Sequence, residues 1–112
     1  MTIDDLPSLI PAEHQDLRAD LVHWIAEWKR STDDVERLSL LVEKWLGNVW
    51  INDANAFSAL MQTWQSFKYT SIEGVGAQTM DERLFTFGLL ESWNEAASEE
   101  RQRLLAKVLA NA

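Results

Sequence analysis

Residues 11–30 read PAEHQDLRADLVHWIAEWKR, and apolar residues recur along them in steps of three and four. Such spacing places side chains on one face of a helix. The face consists of Leu17, Leu21, Trp24 and Trp28. Pro11 suits a first helical turn, because the amide that proline lacks would be unpaired there. Lys29 and Arg30 suit the carboxyl end, where the helix dipole favours positive charge. The stretch therefore predicts a helix over residues 11–30.

A second helix is predicted directly after the first, because residues 31–47, STDDVERLSLLVEKWLG, keep the same apolar spacing. Ser31 or Thr32 is the predicted N-cap, and Asp33 and Asp34 would then lie in the first turn. Gly47 suits the C-terminal cap. We expect this helix to span residues 33–47. With so short a link, the two helices should form an antiparallel hairpin.

Three more helices are predicted in the rest of the chain, over residues 54–69, 80–97 and 99–110. Asp53 and Ser98 are the predicted N-caps of the first and last of these. Thr79, followed three residues later by Glu82, has the spacing of a capping box. The helix over residues 80–97 is apolar on more than one face, so we expect it to be central. Within it, Gly88 is expected to let a neighbouring helix approach closely rather than to end the helix.

The segments between these helices are expected to be irregular. Residues 1–10 should form an extended N-terminal arm, and residues 48–52 a connector rather than a strand. Residues 70–78 contain two glycines two positions apart, which predicts a flexible loop. The sequence therefore predicts one all-α domain, residues 1–112, in which about five helices form a single bundle.

Composition excludes several classes of function. The chain has no cysteine, so disulfides and thiolate metal sites are excluded. A net charge of -8 argues against binding bare nucleic acid, because lysine and arginine must displace its counterions. No apolar run approaches the roughly 18 residues that a membrane span needs. Asp4 and Asp5 stand where a secretory signal would carry basic residues. We expect a soluble cytoplasmic protein that does not bind membranes.

Catalytic and cofactor motifs are not apparent. The segment Gly74-Val75-Gly76 lacks the third glycine and the lysine of a phosphate-binding loop. The two histidines, His14 and His23, are too few for a zinc site built from several imidazoles. We therefore expect no enzymatic activity, no metal and no cofactor.

Acidic residues recur at helical spacing in two places. The first group lies on the first predicted helix. It consists of four acids, Glu13, Asp16, Asp20 and Glu27, and of His23, which shares their spacing. It is compatible with a metal or acid–base site, with a solvated face, or with a docking stripe for a basic partner. A second stripe, Glu91, Glu95 and Glu99, is predicted at the end of the fourth helix. Between them, residues 51–72 hold one acid and one base, so the third helix is nearly uncharged.

Six tryptophans are many for 112 residues. Five of them lie on predicted inward faces, where large aromatic side chains normally form the core: Trp24, Trp28, Trp45, Trp64 and Trp93. Trp50 lies in the connector instead. Because tryptophan is enriched in binding hot spots, Trp50 is the candidate for an exposed anchor that a partner would bury.

Residues 79–94, TMDERLFTFGLLESWN, contain an acid-Arg-Leu-aromatic block followed by Gly-Leu-Leu, an acid, an aromatic residue and asparagine. This block resembles one in small, acidic, helical bacterial proteins of the immunity-protein type. The resemblance implies a protein that binds a toxin, and it carries over no functional residues.

The leading hypothesis is therefore an acidic immunity or inhibitor protein that masks a basic site on a partner protein such as a toxin. Electrostatic steering by the acidic stripes and burial of Trp50 would supply the binding. The alternative is a structural or regulatory helical adaptor, or a homodimer in which the tryptophans line the interface. An enzyme using Asp16, Asp20 and His23 is the weakest hypothesis.

Overall fold

The computed structural model describes residues 1–109, and all regular secondary structure in that range is helical. The α-helices are α1 (Gln15–Arg30), α2 (Val35–Leu46), α3 (Ala54–Phe67), α4 (Met80–Thr86), α5 (Leu90–Glu95) and α6 (Ser98–Lys107). Short 3-10 helices span Ile3–Leu9, Ala12–His14 and Val75–Ala77, and a π-helical segment spans Lys68–Glu73. The all-α prediction is confirmed, but the helices are more numerous and shorter than predicted. Residues 110–112, which include the predicted end of the last helix, lie outside the described residues.

The first two helices are joined by residues 31–34 and contact each other. Helix α1 buries Leu21, Ile25 and Trp28. The N-cap of α2 is Asp34 rather than Ser31 or Thr32, since its carboxylate accepts a hydrogen bond of 3.1 Å from the amide of Arg37. The predicted caps Asp53 and Thr79 are confirmed, because each accepts from amides in the first turn of its helix. The predicted cap Ser98 is wrong: it is the first residue of α6, whose N-cap is Ala97.

The N-terminal residues do not form an extended arm. They form the 3-10 helix Ile3–Leu9, which packs against α1 and α3. Ile3, Leu6 and Ile10 are fully buried. Ile3 and Leu6 are three residues apart, which places them on the same side of a 3-10 helix, and Ile10 follows as its extended C-cap residue. Burial of Ile3 and Leu6 therefore favours the helix over an extended chain. The Arg18 side chain fixes the end of the segment by donating to the carbonyls of Ser8 and Ile10.

The predicted flexible loop at residues 70–78 is also wrong. Helix α3 runs into the π-helical segment Lys68–Glu73, which buries Ile72, and the next 3-10 helix buries Val75. A Cβ atom at Gly74 would lie 2.6 Å from the carbonyl oxygen of Thr70. The glycine is therefore required by close backbone packing and not by flexibility.

The helix predicted over residues 80–97 is broken at Gly88. This glycine has a φ of +68°, a conformation that ends α4 and that other residues rarely adopt. A Cβ atom there would lie 2.1 Å from the Oδ2 atom of Asp4 and 2.7 Å from the Nζ atom of Lys29. These two side chains form an ion pair at 2.7 Å. The prediction of a close approach at Gly88 therefore holds, but the group that approaches is an ion pair rather than a helix. The prediction that Gly88 does not end the helix is wrong.

The break at Gly88 allows the chain to bury the residues on both sides of it. Phe87 is fully buried and Leu89 is 1% exposed. The Phe87 ring lies 5.9 Å from the ring of Trp28 and 5.8 Å from that of Phe67, measured between centroids. Phe87 therefore joins the buried faces of α1 and α3, and a continuous helix would not place it and Leu89 so deeply together.

Helix α6 is attached to the end of α1 by two basic side chains. The Nζ atom of Lys107 donates to the carbonyl oxygens of Ser31 and Asp33, each at 2.7 Å, and to the Ser31 hydroxyl at 3.1 Å. It also lies 4.4 Å from the centre of the Trp28 ring. Arg103 donates to the carbonyl oxygens of Lys29 and Ser31. Carbonyl groups at a helix end lack hydrogen-bond donors within the helix, and Lys107 and Arg103 provide those donors.

None of the helices within residues 1–109 is both long enough and apolar enough to cross a bilayer.

We expect Gly88→Ala to lower the free energy of unfolding by about 1–2 kcal/mol, because an L-residue is strained at this φ. Gly47→Ala is the control, since Gly47 has an ordinary helical φ of -74° and a Cβ atom there would meet only ordinary contacts. Urea unfolding of both variants measures the difference. Equal stability of the two variants would contradict this role of Gly88.

We expect Lys107→Met to lower the free energy of unfolding by about 2–4 kcal/mol, because it leaves partly buried carbonyl groups without their hydrogen-bond donor. Methionine keeps most of the apolar stem, so the loss reports on the hydrogen bonds of the Nζ atom. Lys44→Met, on an exposed position of α2, should change stability by less than about 0.5 kcal/mol. The same urea measurement compares them, and a loss no larger than that of the control would refute the proposed role.

Candidate partner-binding surface

The acidic stripe of the first helix lies on the solvent side of α1. Asp16, Asp20, His23 and Glu27 follow each other at helical spacing and are all exposed, and Glu13 is exposed in the preceding 3-10 helix. At about 100° per residue, the four positions on α1 fall within about 60° of one another. We call these five residues the α1 stripe. The structure therefore brings together all the residues predicted for the first stripe.

Most carboxylates of the α1 stripe are unpaired. Within residues 1–109, Glu13, Asp16 and Asp20 form no ion pair and no side-chain hydrogen bond, whereas Glu27 pairs with Arg30 one turn later. Other acids have structural partners: Asp34 and Asp53 cap helices, and Glu43 accepts from Trp64 and Lys68. The stripe thus retains negative charge that the fold itself does not use.

Trp24 lies beside this stripe rather than in the core, so the prediction that it is buried is wrong. It is 44% exposed, and its ring contacts His23 edge-on with centroids 5.2 Å apart. It is also one turn from both Asp20 and Glu27. The buried face of α1 is centred on Leu21, Ile25 and Trp28, about 60° from Trp24. Including Ile25 in the predicted apolar face would have moved the centre of that face away from Trp24.

The other tryptophans divide as the sequence indicates. Trp28, Trp45 and Trp64 are at most 8% exposed, and Trp93 packs against the core from an intermediate position. Trp50 is 79% exposed, in the connector between α2 and α3. The connector contains no strand, as predicted.

The second predicted stripe is divided between two helices. Glu91 and Glu95 are exposed one turn apart on α5, but that helix ends at Glu95 and Glu99 belongs to α6. Beside Glu91, an open groove of about 460 Å³ runs past Gly88 and Leu90. Phe85, which the sequence places on an apolar helix, lines this groove and is 59% exposed. The break at Gly88 accounts for its exposure, because the buried face changes direction there.

Half of the ten basic side chains bind the backbone of the fold. Five of them donate to backbone carbonyl groups: Arg18, Arg83, Arg101, Arg103 and Lys107. Others form ion pairs, such as Lys29 with Asp4 and Lys68 with Glu43. On α1, Arg18 and Lys29 are held by partners in the N-terminal segment, whereas the acids of the α1 stripe face solvent, so this exposed surface is negative.

The junction of α6 with α1 contains groups with shifted pKa values. Burial lowers the pKa of Lys107 to about 8, and the charge of Arg103 acts in the same direction. Asp33, Asp34 and Glu100 oppose this shift without cancelling it. The hydrogen bond from Arg103 lowers the pKa of Glu100 and raises that of Arg103. None of these groups belongs to the α1 stripe.

No metal site is apparent on the described part of the chain, where no three His, Asp or Glu side chains are grouped so that they could hold an ion. Asp20 and His23, which lie one turn apart on α1, therefore have no third side chain beside them within residues 1–109 that could complete a metal site.

Comparisons with known proteins place the chain in no family. No family model, no curated protein and no solved structure matches it.

The pKa of Lys107 predicts a specific pH dependence of stability. An unfolded lysine titrates near pH 10.4, so between about pH 8 and pH 10.4 the unfolded chain binds the proton that the folded chain has lost. Stability that depends on Lys107 should therefore rise with pH across this window. The measurement is the difference in free energy of unfolding between the wild type and Lys107→Met at pH 7.5, 9 and 10.5. Since other groups titrate equally in both proteins, a difference that stays constant or falls would contradict the assignment.

Proposed function

We propose that this protein is an acidic inhibitor of the immunity-protein type, which masks a basic site on a partner protein such as a toxin. The observation that carries the proposal is the α1 stripe, in which unpaired, exposed carboxylates border the partly exposed ring of Trp24. This arrangement combines long-range attraction for a basic surface with an aromatic group that can be buried in it.

Binding would proceed in two steps. The negative field of α1 first steers a basic partner towards the stripe, which raises the association rate at low salt. Trp24 and the apolar stems around it are then desolvated in the contact, which slows dissociation. Masking a basic cleft in this way needs no catalytic group on the inhibitor. A cytoplasmic location, where it would protect the cell that makes it, is part of the proposal.

Helix α5 is the second proposed contact for the same partner. Glu91 and Glu95 face solvent beside the groove that exposes Phe85, so this surface repeats the combination of carboxylates and an aromatic ring. Trp50 was the anchor expected from the sequence. We propose Trp24 in its place, because Trp50 lies next to the uncharged helix α3 and not beside either acidic group.

The test compares two variants that each remove three negative charges. The first, Glu13→Gln with Asp16→Asn and Asp20→Asn, neutralises the α1 stripe. The control, Glu36→Gln with Glu73→Gln and Asp81→Asn, changes exposed acids outside both acidic stripes. Each protein is immobilised, exposed to extract of the source cell, cross-linked, and its bound proteins are quantified by mass spectrometry. We expect a basic protein to be recovered with the wild type and the control and to be lost with the stripe variant.

The purified partner then tests the electrostatic step. Its association rate with the wild type should fall about tenfold or more between 50 and 500 mM salt, because the Debye length shortens from about 14 Å to about 4 Å. The stripe variant should associate about as slowly at low salt as the wild type does at high salt. Equal recovery of the same proteins by all three baits, or an association rate independent of salt, would refute the proposal.

A further inference from the structure

The solvent-facing side of α3 carries no charged residue. Its exposed positions are Ala54, Asn55, Ser58, Ala59, Gln62, Gln65 and Ser66, which we call the neutral face. At about 100° per residue these positions form one continuous surface along the helix. Charged residues make up 25% of the chain and occur on the exposed sides of both α1 and α6. An exposed helix of fourteen residues without a charge on its outer side is therefore unusual in this molecule.

The charged residues at the two ends of α3 do not alter this conclusion. The carboxylate of Asp53 accepts hydrogen bonds from the amides of Asn55 and Ala56 as the N-cap. At the other end, Lys68 forms an ion pair of 3.0 Å with Glu43 of α2. Both charges are thus compensated locally.

Exposed aromatic residues mark both ends of the neutral face. Trp50 precedes α3 and is 79% exposed, and Tyr69 follows it and is 72% exposed. Near the Tyr69 end, an open groove of about 420 Å³ is lined by Gln62, Ser66 and Phe67, and by other residues without a charged side chain. The neutral face and its ends thus combine an absence of charged side chains with exposed tryptophan and tyrosine. Both features are typical of the centre of a protein–protein contact.

We propose that the neutral face binds a second copy of this chain, with the two α3 helices antiparallel across a twofold axis. Two copies that each carry a net charge of -8 repel each other through their acidic faces, and α3 is a surface on which they can meet without bringing like charges together. The amide and hydroxyl groups of glutamine, asparagine and serine both donate and accept hydrogen bonds. They are therefore self-complementary, as a twofold interface requires.

The antiparallel arrangement also provides a place for Trp50. It brings the Trp50 end of one α3 to the Tyr69 end of the other, where the groove beside Ser66 and Phe67 lies. The groove is larger than an indole ring and open to solvent. Each copy thus inserts Trp50 into the groove of its partner, and the same contact occurs twice.

One helix face and two aromatic side chains bury an area near the lower limit for specific interfaces, about 1,200 Å² in total. The dimer is accordingly weak, with dissociation in the micromolar range, and it is not required for folding. The dimer uses a different surface from the α1 stripe, so the test of the dimer is independent of the test of the proposed inhibitor function.

Sedimentation equilibrium of the full chain, from about 5 to about 500 µM, tests the dimer. We expect reversible dimerisation that becomes tighter as salt rises, because screening weakens the repulsion between the two acidic chains. Gln62→Glu places a like charge from each copy in the contact and should weaken the dimer about tenfold or more. Trp50→Ala, which removes the inserted ring, should have an effect of similar size.

Matched controls separate this contact from general effects of charge or aromatic loss. Gln102→Glu makes the same change on the exposed side of α6, and Trp24→Ala removes an exposed tryptophan from α1; both should dimerise like the wild type. Melting temperatures establish that each variant is folded. A wild type that is monomeric at 500 µM, or a dimer that Gln62→Glu leaves as stable as Gln102→Glu does, would overturn the proposal.

Discussion

The fold depends on how α6 holds the end of α1. Lys107 and Arg103 reach the carbonyl oxygens of Lys29, Ser31 and Asp33 across more than seventy residues of chain, and the Trp28 ring lies against the same ammonium group. These carbonyl groups are partly buried, and without the two cations they would lose their hydrogen-bond donors, at a cost that is large relative to the stability of a small domain. The contact therefore closes the chain, since it joins its last helix to its first hairpin.

The same contact illustrates how this acidic chain distributes its charges. Half of its ten basic side chains bind backbone carbonyls, and they do so mainly where regular helix ends or gives way to irregular backbone. A cation placed on carbonyl oxygens contributes to folding without neutralising a surface carboxylate. Four acids form ion pairs within residues 1–109, and most of the others cap helices or face solvent. A chain with the same composition but more ion pairs on its surface would present a much weaker negative field on α1.

The elements predicted well are those specified by local sequence. Apolar spacing and side-chain caps such as Asp53 and Thr79 act within a few residues, and they locate α1, α2 and α3 to within a few positions. The failures have tertiary causes. The segment Ile3–Leu9 becomes helical because its buried side chains pack against α1 and α3. Gly88 breaks a helix because Phe87 and Leu89 are both needed in the core, and Gly74 is required by a neighbouring carbonyl. The α1 stripe was predictable from spacing alone, whereas the exposure of Trp24 and Phe85 depends on how their helices rotate against the core.

The separation of acidic and neutral surfaces has a consequence for how the protein would associate. Contacts of the α1 stripe with a basic partner are attractive at long range, so salt weakens them, whereas contacts between two neutral faces occur against the repulsion of the whole chain, so salt strengthens them. Because α3 carries no uncompensated charge, a change of charge in the α1 stripe affects association through the neutral face only by altering the general repulsion between the two chains. Partner binding and self-association would therefore respond in opposite directions to ionic strength, and a basic partner that neutralises the stripe would itself favour pairing of two complexes through α3.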